Sequence, residues 1–164
     1  MTKEELTVQS AEDVRLQKYR SSLISSGGAM VLFALWAVLR SMVQIEARLN
    51  NPKDSEMLRP LIASILAVGI VELILMLYVG LSARVEGLGR KKKRPYLILG
   101  ILIACLSVLS VGYMLYQFPG DCKLYGLLMP LVNLAVEATF LYAAMDLVVS
   151  AIKVRRLEKK MGRV

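Results

Sequence analysis

Glu72 and Glu137 each lie near the middle of an apolar run long enough to cross a bilayer, residues 61–83 and 126–152. A carboxylate at mid-depth in hydrocarbon costs on the order of 2.5–3.5 kcal/mol even on lenient insertion scales, so such a residue faces protein or water. Arg40 sits about six residues, roughly 9 Å, outward of the centre of another run, 23–45. Helical side chains lean toward the N-terminus of their helix. With helix directions alternating, Arg40 tips toward mid-membrane while Glu72 and Glu137 tip outward, so the three heads are expected to converge. One guanidinium facing two carboxylates leaves the second acid without a full countercharge. Asn133, four positions before Glu137, shares its helix face and extends the expected cluster. A dry, paired cluster would fix helix packing; a wet one would be a proton or cation site.

Two neighbours compete for these groups. Arg40 has an alternative partner in Glu46 if it snorkels to the headgroups. Asp146 lies on the opposite side of its helix from Glu137 and is expected to reach headgroups or a nearby cation. Catalytic machinery is scarce. Histidine is absent, which removes the usual general base and the commonest metal ligand. Cys105 and Cys122 have no CxxC spacing, and Gly87-Leu88-Gly89 lacks the rest of a phosphate-binding loop. Asp54, Glu56 and Asp121 are scattered loop acids. The expectation is a protein that is not an enzyme and uses no cofactor and no metal.

The elements that must position the polar residues follow from hydropathy. The 164-residue chain is 56% apolar and long enough for one domain. Its four runs, about 23–45, 61–83, 95–117 and 126–152, cover roughly 35 Å each as helix, enough for a 30 Å hydrocarbon core with some tilt. Soluble helices rarely stay apolar on every face for so long. Short connections force neighbouring helices to lie antiparallel. The expected fold is therefore an all-α integral membrane protein, four transmembrane helices in an antiparallel up-down bundle. Residues 1–22 form a lead-in with a helix start near Ser10, 23–152 the transmembrane domain, and 153–164 a basic tail continuing the fourth helix.

Charge placement orients that bundle. The net charge is +8, and 16 of the 21 Lys and Arg residues fall before the first run, between the second and third, and after the fourth. Short loops rich in Lys and Arg stay on the cytoplasmic side, which puts both termini inside (N-in/C-in) and the loops 46–59 and 118–125 outside, in what is expected to be the plasma (cytoplasmic) membrane. Arg90, Lys91, Lys92, Lys93 and Arg94, with Lys153, Arg155, Arg156, Lys159 and Lys160, are expected to meet anionic lipid headgroups. Nucleic acid is not an expected partner, because no basic segment outside the membrane is large enough to form a binding fold.

Small residues mark faces where helices approach closely in lipid. Ser21, Ser25 and Ala29, then Ala63 and Ala67, then Gly100, Ala104 and Gly112 recur at such spacing. A glutamate in an apolar helix is similar to the arrangement in small multidrug exporters, which carry theirs in the first span; here the first span carries Arg40. Two functions are expected. The first is a non-enzymatic membrane subunit or scaffold with a buried polar core, partnered by a second copy or another membrane protein. The alternative is a small proton- or cation-coupled transporter using the intramembrane carboxylates.

Overall fold

The computed structural model describes residues 3–49, 58–90, 95–125 and 127–162, almost entirely as helix. The elements are α1 (Lys3–Leu49), α2 (Leu58–Gly87), α3 (Pro95–Tyr125) and α4 (Leu128–Lys160). Each holds a stretch long and apolar enough to cross a membrane: Ala11–Val43, Arg59–Gly87, Pro95–Pro119 and Pro130–Lys160.

The helix boundaries depart from expectation in two places. α1 begins at Lys3, ahead of Ser10, and its 47 residues run unbroken. No proline interrupts that stretch, so propagation of the hydrogen-bond ladder outweighs a local capping signal. The loop expected at 118–125 is also helical, with Pro119 inside α3. Proline removes one backbone donor and crowds the carbonyl a turn earlier. Near a membrane boundary water can satisfy the freed carbonyl, which makes that position tolerable. Only residues 126 and 127 then separate α3 from α4. Pro60 sits in the first turn of α2, where an absent N–H is harmless. α2 stops at a turn built on Gly89, whose φ of +86° suits glycine.

α1 packs against α2 on one side and α4 on the other, α4 also carries α3, and α2 and α3 scarcely touch. The buried core includes Leu23, Met30, Val79, Tyr96, Ala104 and Leu147. Close approach of α1 and α2 runs through glycine. A Cβ on Gly80 would lie 2.7 Å from the Gly27 carbonyl oxygen, and one on Gly27 would lie 2.7 Å from that of Gly80. Ser41 meets Gly69 and Ile24 meets Gly87 along the same seam.

This seam corrects two of the expected small-residue faces. Ser21 and Ser25 are exposed, as are Ala63 and Ala67. The face of α1 that packs carries Gly27, Met30, Ala34 and Ala37, all buried. Spacing of four recurs on every side of a helix, so small residues alone did not identify the buried one. In α3, Gly100 does pack, against Val79, Leu147 and Val148, whereas Gly112 has open space around it. The outward surface is apolar, with Leu32, Leu39, Ile74, Leu102, Leu109 and Leu131 all exposed. A contiguous apolar surface of this kind is what hydrocarbon solvates and water does not.

Candidate functional site

Where α2 and α3 stand apart, the bundle leaves an open cavity of about 520 Å³. All four helices contribute to it: Arg40 from α1, Glu72 from α2, Ser107 and Ser110 from α3, Glu137 and Phe140 from α4. The rest of its wall is apolar, including Val68, Val71, Leu75 and Leu106. Val68, Val71 and Leu106 are also exposed, so the cavity opens between α2 and α3. Phe140 is held as one wall by an edge-to-face contact with Phe33, centroids 5.1 Å apart.

The structure brings two of the four expected cluster residues into contact. Arg40 Nη1 donates to Glu137 Oε1 at 3.0 Å, tying α1 to α4 across 97 positions. The Glu137 side chain is only 14% exposed, while that of Arg40 is 50% exposed. Glu46 is exposed and does not hold Arg40. Glu72 lines the same cavity, half-buried, and makes no hydrogen bond or ion pair among the described residues. Asn133 is exposed and outside the cavity lining, so a shared helix face did not carry it into the cluster. The charged groups of the cavity therefore sum to one positive against two negative. In low dielectric an uncompensated carboxylate attracts a cation or a proton strongly.

Glu72 also borders a second cavity, about 290 Å³, between α1 and α2. Ser41, Ser64 and Gly69 line it with Arg40. Each serine hydroxyl donates to its own helix, Ser41 to the Ala37 carbonyl at 2.9 Å and Ser64 to the Leu61 carbonyl at 2.8 Å. Their oxygens keep acceptor capacity toward the cavity. A hydroxyl that returns to its own backbone is the usual way for serine to sit in an apolar helix.

The end of the bundle where Glu12 and Lys160 pair is closed by contrast. Arg155 grips buried Glu86 with two hydrogen bonds, Nε to Oε1 at 2.7 Å and Nη2 to Oε2 at 2.8 Å. Its guanidinium lies over the ring of Tyr96, 5.4 Å from the centroid, with Tyr96 fully buried. Arg20 donates to Glu158 at 2.6 Å. The Ser22 hydroxyl donates to Asp146 at 2.7 Å and accepts from Ser150 at 3.1 Å, so among the described residues Asp146 finds a serine and not a cation. Lys153 covers the Tyr19 ring at 4.7 Å.

Sequence reasoning missed this second polar network. One signal was present: Asp146 and Ser150 lie four apart on α4, and Ser22 and Ser26 four apart on α1, each a polar pair on one helix face. Of the ten basic residues expected at headgroups, Arg155 and Lys160 are engaged by acids and Lys153 by an aromatic ring. Arg90, Arg156 and Lys159 are exposed. Lys91, Lys92, Lys93 and Arg94 lie outside the described residues.

Fold and site together define a small protein with four helices long and apolar enough to span a membrane. Comparison with protein-family models, curated proteins and solved structures finds nothing that matches the chain.

Proposed function

We propose that the chain is an integral membrane protein whose four helices cross the bilayer as an up-down antiparallel bundle, and that it acts as a small proton- or cation-linked carrier through Glu72 and Glu137. The reverse order of contacts along α1 and α2, Ser41 to Gly69, Gly27 to Gly80 and Ile24 to Gly87, supports the antiparallel arrangement. The Lys and Arg asymmetry supports both termini lying on the cytoplasmic side of the plasma membrane, with exposed Arg90, Arg156 and Lys159 against anionic headgroups. One observation carries the carrier reading: among the described residues Glu72 stands in an open cavity with no hydrogen-bonded or ion-paired partner, while Arg40, the cation of that described lining, is held by Glu137. A carboxylate kept there at a cost in stability is explained by a cation or proton that visits it.

A non-enzymatic membrane subunit or scaffold is the second reading. It is favoured by the Arg40–Glu137 pair, which joins two helices without needing a ligand, and by the gap between α2 and α3. In that case a second copy or another membrane protein would fill the gap. Reconstitution into liposomes with a pH-sensitive dye separates the two. A proton flux that disappears in Glu72→Gln, with the protein still folded, is the expected result. Identical traces for wild type, Glu72→Gln and empty liposomes would remove the carrier and leave the subunit, to be sought by co-purification.

A further inference from the structure

We propose that the α1–α2 cavity is a water-filled path from the outer solution to Glu72, with Ser64 at its mouth and Ser41 and Arg40 along it. The inference rests on the carrier reading, whose proton or cation must reach Glu72 from water. Glu72 borders two cavities of different character. The wider one opens between α2 and α3 past exposed Val68, Val71 and Leu106, and that opening meets hydrocarbon. The narrower one, about 290 Å³, has Arg40, Ser41, Ser64 and Glu72 in its described lining. Its volume is far above the roughly 30 Å³ that one water takes in the liquid.

Placement turns this pocket toward the outer end of the bundle. Ser64 is exposed, six residues after the start of α2 and eight before Glu72, about 12 Å along the helix. Half-buried Ser41 faces it from α1. A Cβ on Gly69 would lie 2.6 Å from the Ser41 hydroxyl oxygen, so a side chain there would displace that hydroxyl. The polar groups suit water, which needs about two to four hydrogen-bond partners when buried. Arg40 has five N–H donors, and its printed bond to Glu137 uses one of them. The Ser41 and Ser64 hydroxyls each donate to their own helix and keep lone pairs to accept with. Glu72 brings carboxylate oxygens to the inner end, where the Arg40 charge acts on it as well as on Glu137. A lipid chain in the same space would leave these donors and acceptors against hydrocarbon, which is costly. Ionisable residues within a span characteristically face such water-filled cavities.

Single cysteines test the path, on the full chain lacking Cys105 and Cys122, in sealed right-side-out vesicles. The probe is a membrane-impermeant trimethylammonium methanethiosulfonate added outside, which reacts with the thiolate and so reports water at the sulfur. Ser41→Cys and Ser64→Cys should react at least about tenfold faster than Leu102→Cys on the outward apolar surface, because a thiol in apolar surroundings stays protonated. Ile65→Cys, from the same lining, serves if Ser41→Cys fails to fold. Ser64→Phe, which blocks the mouth, should slow the Ser41→Cys reaction severalfold. Leu106→Trp, which fills the other cavity, should leave that reaction unchanged. Ser41→Cys and Ile65→Cys reacting no faster than Leu102→Cys would overturn the path and give the pocket to lipid chains. A reaction slowed by Leu106→Trp and not by Ser64→Phe would overturn the route. Fast labelling without Glu72-dependent flux would remove the carrier and leave the path standing. Glu72-dependent flux with slow labelling would remove the path and leave the carrier.

Discussion

Glu86 and Arg155 are 69 positions apart in the chain, yet their side chains meet face to face through two parallel hydrogen bonds of 2.7 and 2.8 Å. Glu86 is the most buried acid among the described residues, 5% exposed, and Arg155 is the cation that makes that burial tolerable. The pair ties α2 to α4 at the closed end, with the Tyr96 ring of α3 beneath the guanidinium. Three helices are thereby joined at the end opposite the open cavity.

Removing Arg155 should therefore loosen that end more than a surface charge would. Arg155→Ala is expected to cost about 2–3 kcal/mol, below the range for a fully buried pair because the arginine is partly exposed. Arg155→Lys should recover little, since an ammonium cannot reproduce the two-pronged geometry. Glu86→Gln should cost less than Arg155→Ala, because the charge it leaves unpaired is the partly exposed Arg155 and not the buried Glu86. Thermal unfolding in detergent ranks the three, and a silent Arg155→Ala would contradict the pairing.

Arg40 should couple more strongly to Glu137, which it hydrogen-bonds, than to Glu72, which faces it across the shared cavity. Hydrogen bonds between membrane helices are worth about 0.6–1.7 kcal/mol, which sets the coupling expected between Arg40→Ala and Glu137→Gln in a double-mutant cycle. The cycle of Arg40→Ala with Glu72→Gln should give a smaller coupling, because the two groups share the cavity without a hydrogen bond between them. Strong coupling in the second cycle and none in the first would mean that the guanidinium has changed partners.

Two adjacent glycines provide a steric test of the α1–α2 seam. Gly27→Ala places a Cβ against the Gly80 carbonyl and should cost roughly 1–3 kcal/mol, because the contact is backbone and cannot turn aside. Gly28→Ala meets nothing within 4 Å and should be neutral or slightly stabilising through helix propensity. Equal melting temperatures for the two variants would refute the close approach.

The orientation is testable by labelling single cysteines in a background lacking Cys105 and Cys122. Lys159→Cys is expected to react with a membrane-impermeant maleimide only after the cytoplasmic side is exposed. Leu127→Cys, at the short α3–α4 connection, should react from outside in intact cells. The reverse pattern would invert the bundle without altering its packing.

Membrane-spanning character is set along the chain itself. A run of about twenty apolar residues is favourable in hydrocarbon whatever lies beside it, and loop charges act on the headgroup layer locally. Arg40, Glu72 and Glu137 therefore stand out in the sequence as costly residues within such runs, and opposed helix directions were enough to suggest that their heads approach. Which partner each takes depends on helix rotation, and rotation is a property of pairs of helices. Small residues on two faces of α1 look equivalent in sequence; only the fit of Gly27 against Gly80 selects between them. Once α1 is seated on α2 and α4, Arg40 is delivered to Glu137, Arg155 meets Glu86, and α2 and α3 remain apart around Glu72. The cavity could not be read from composition or spacing, because it is the space left over when three helix contacts are satisfied and the fourth is not.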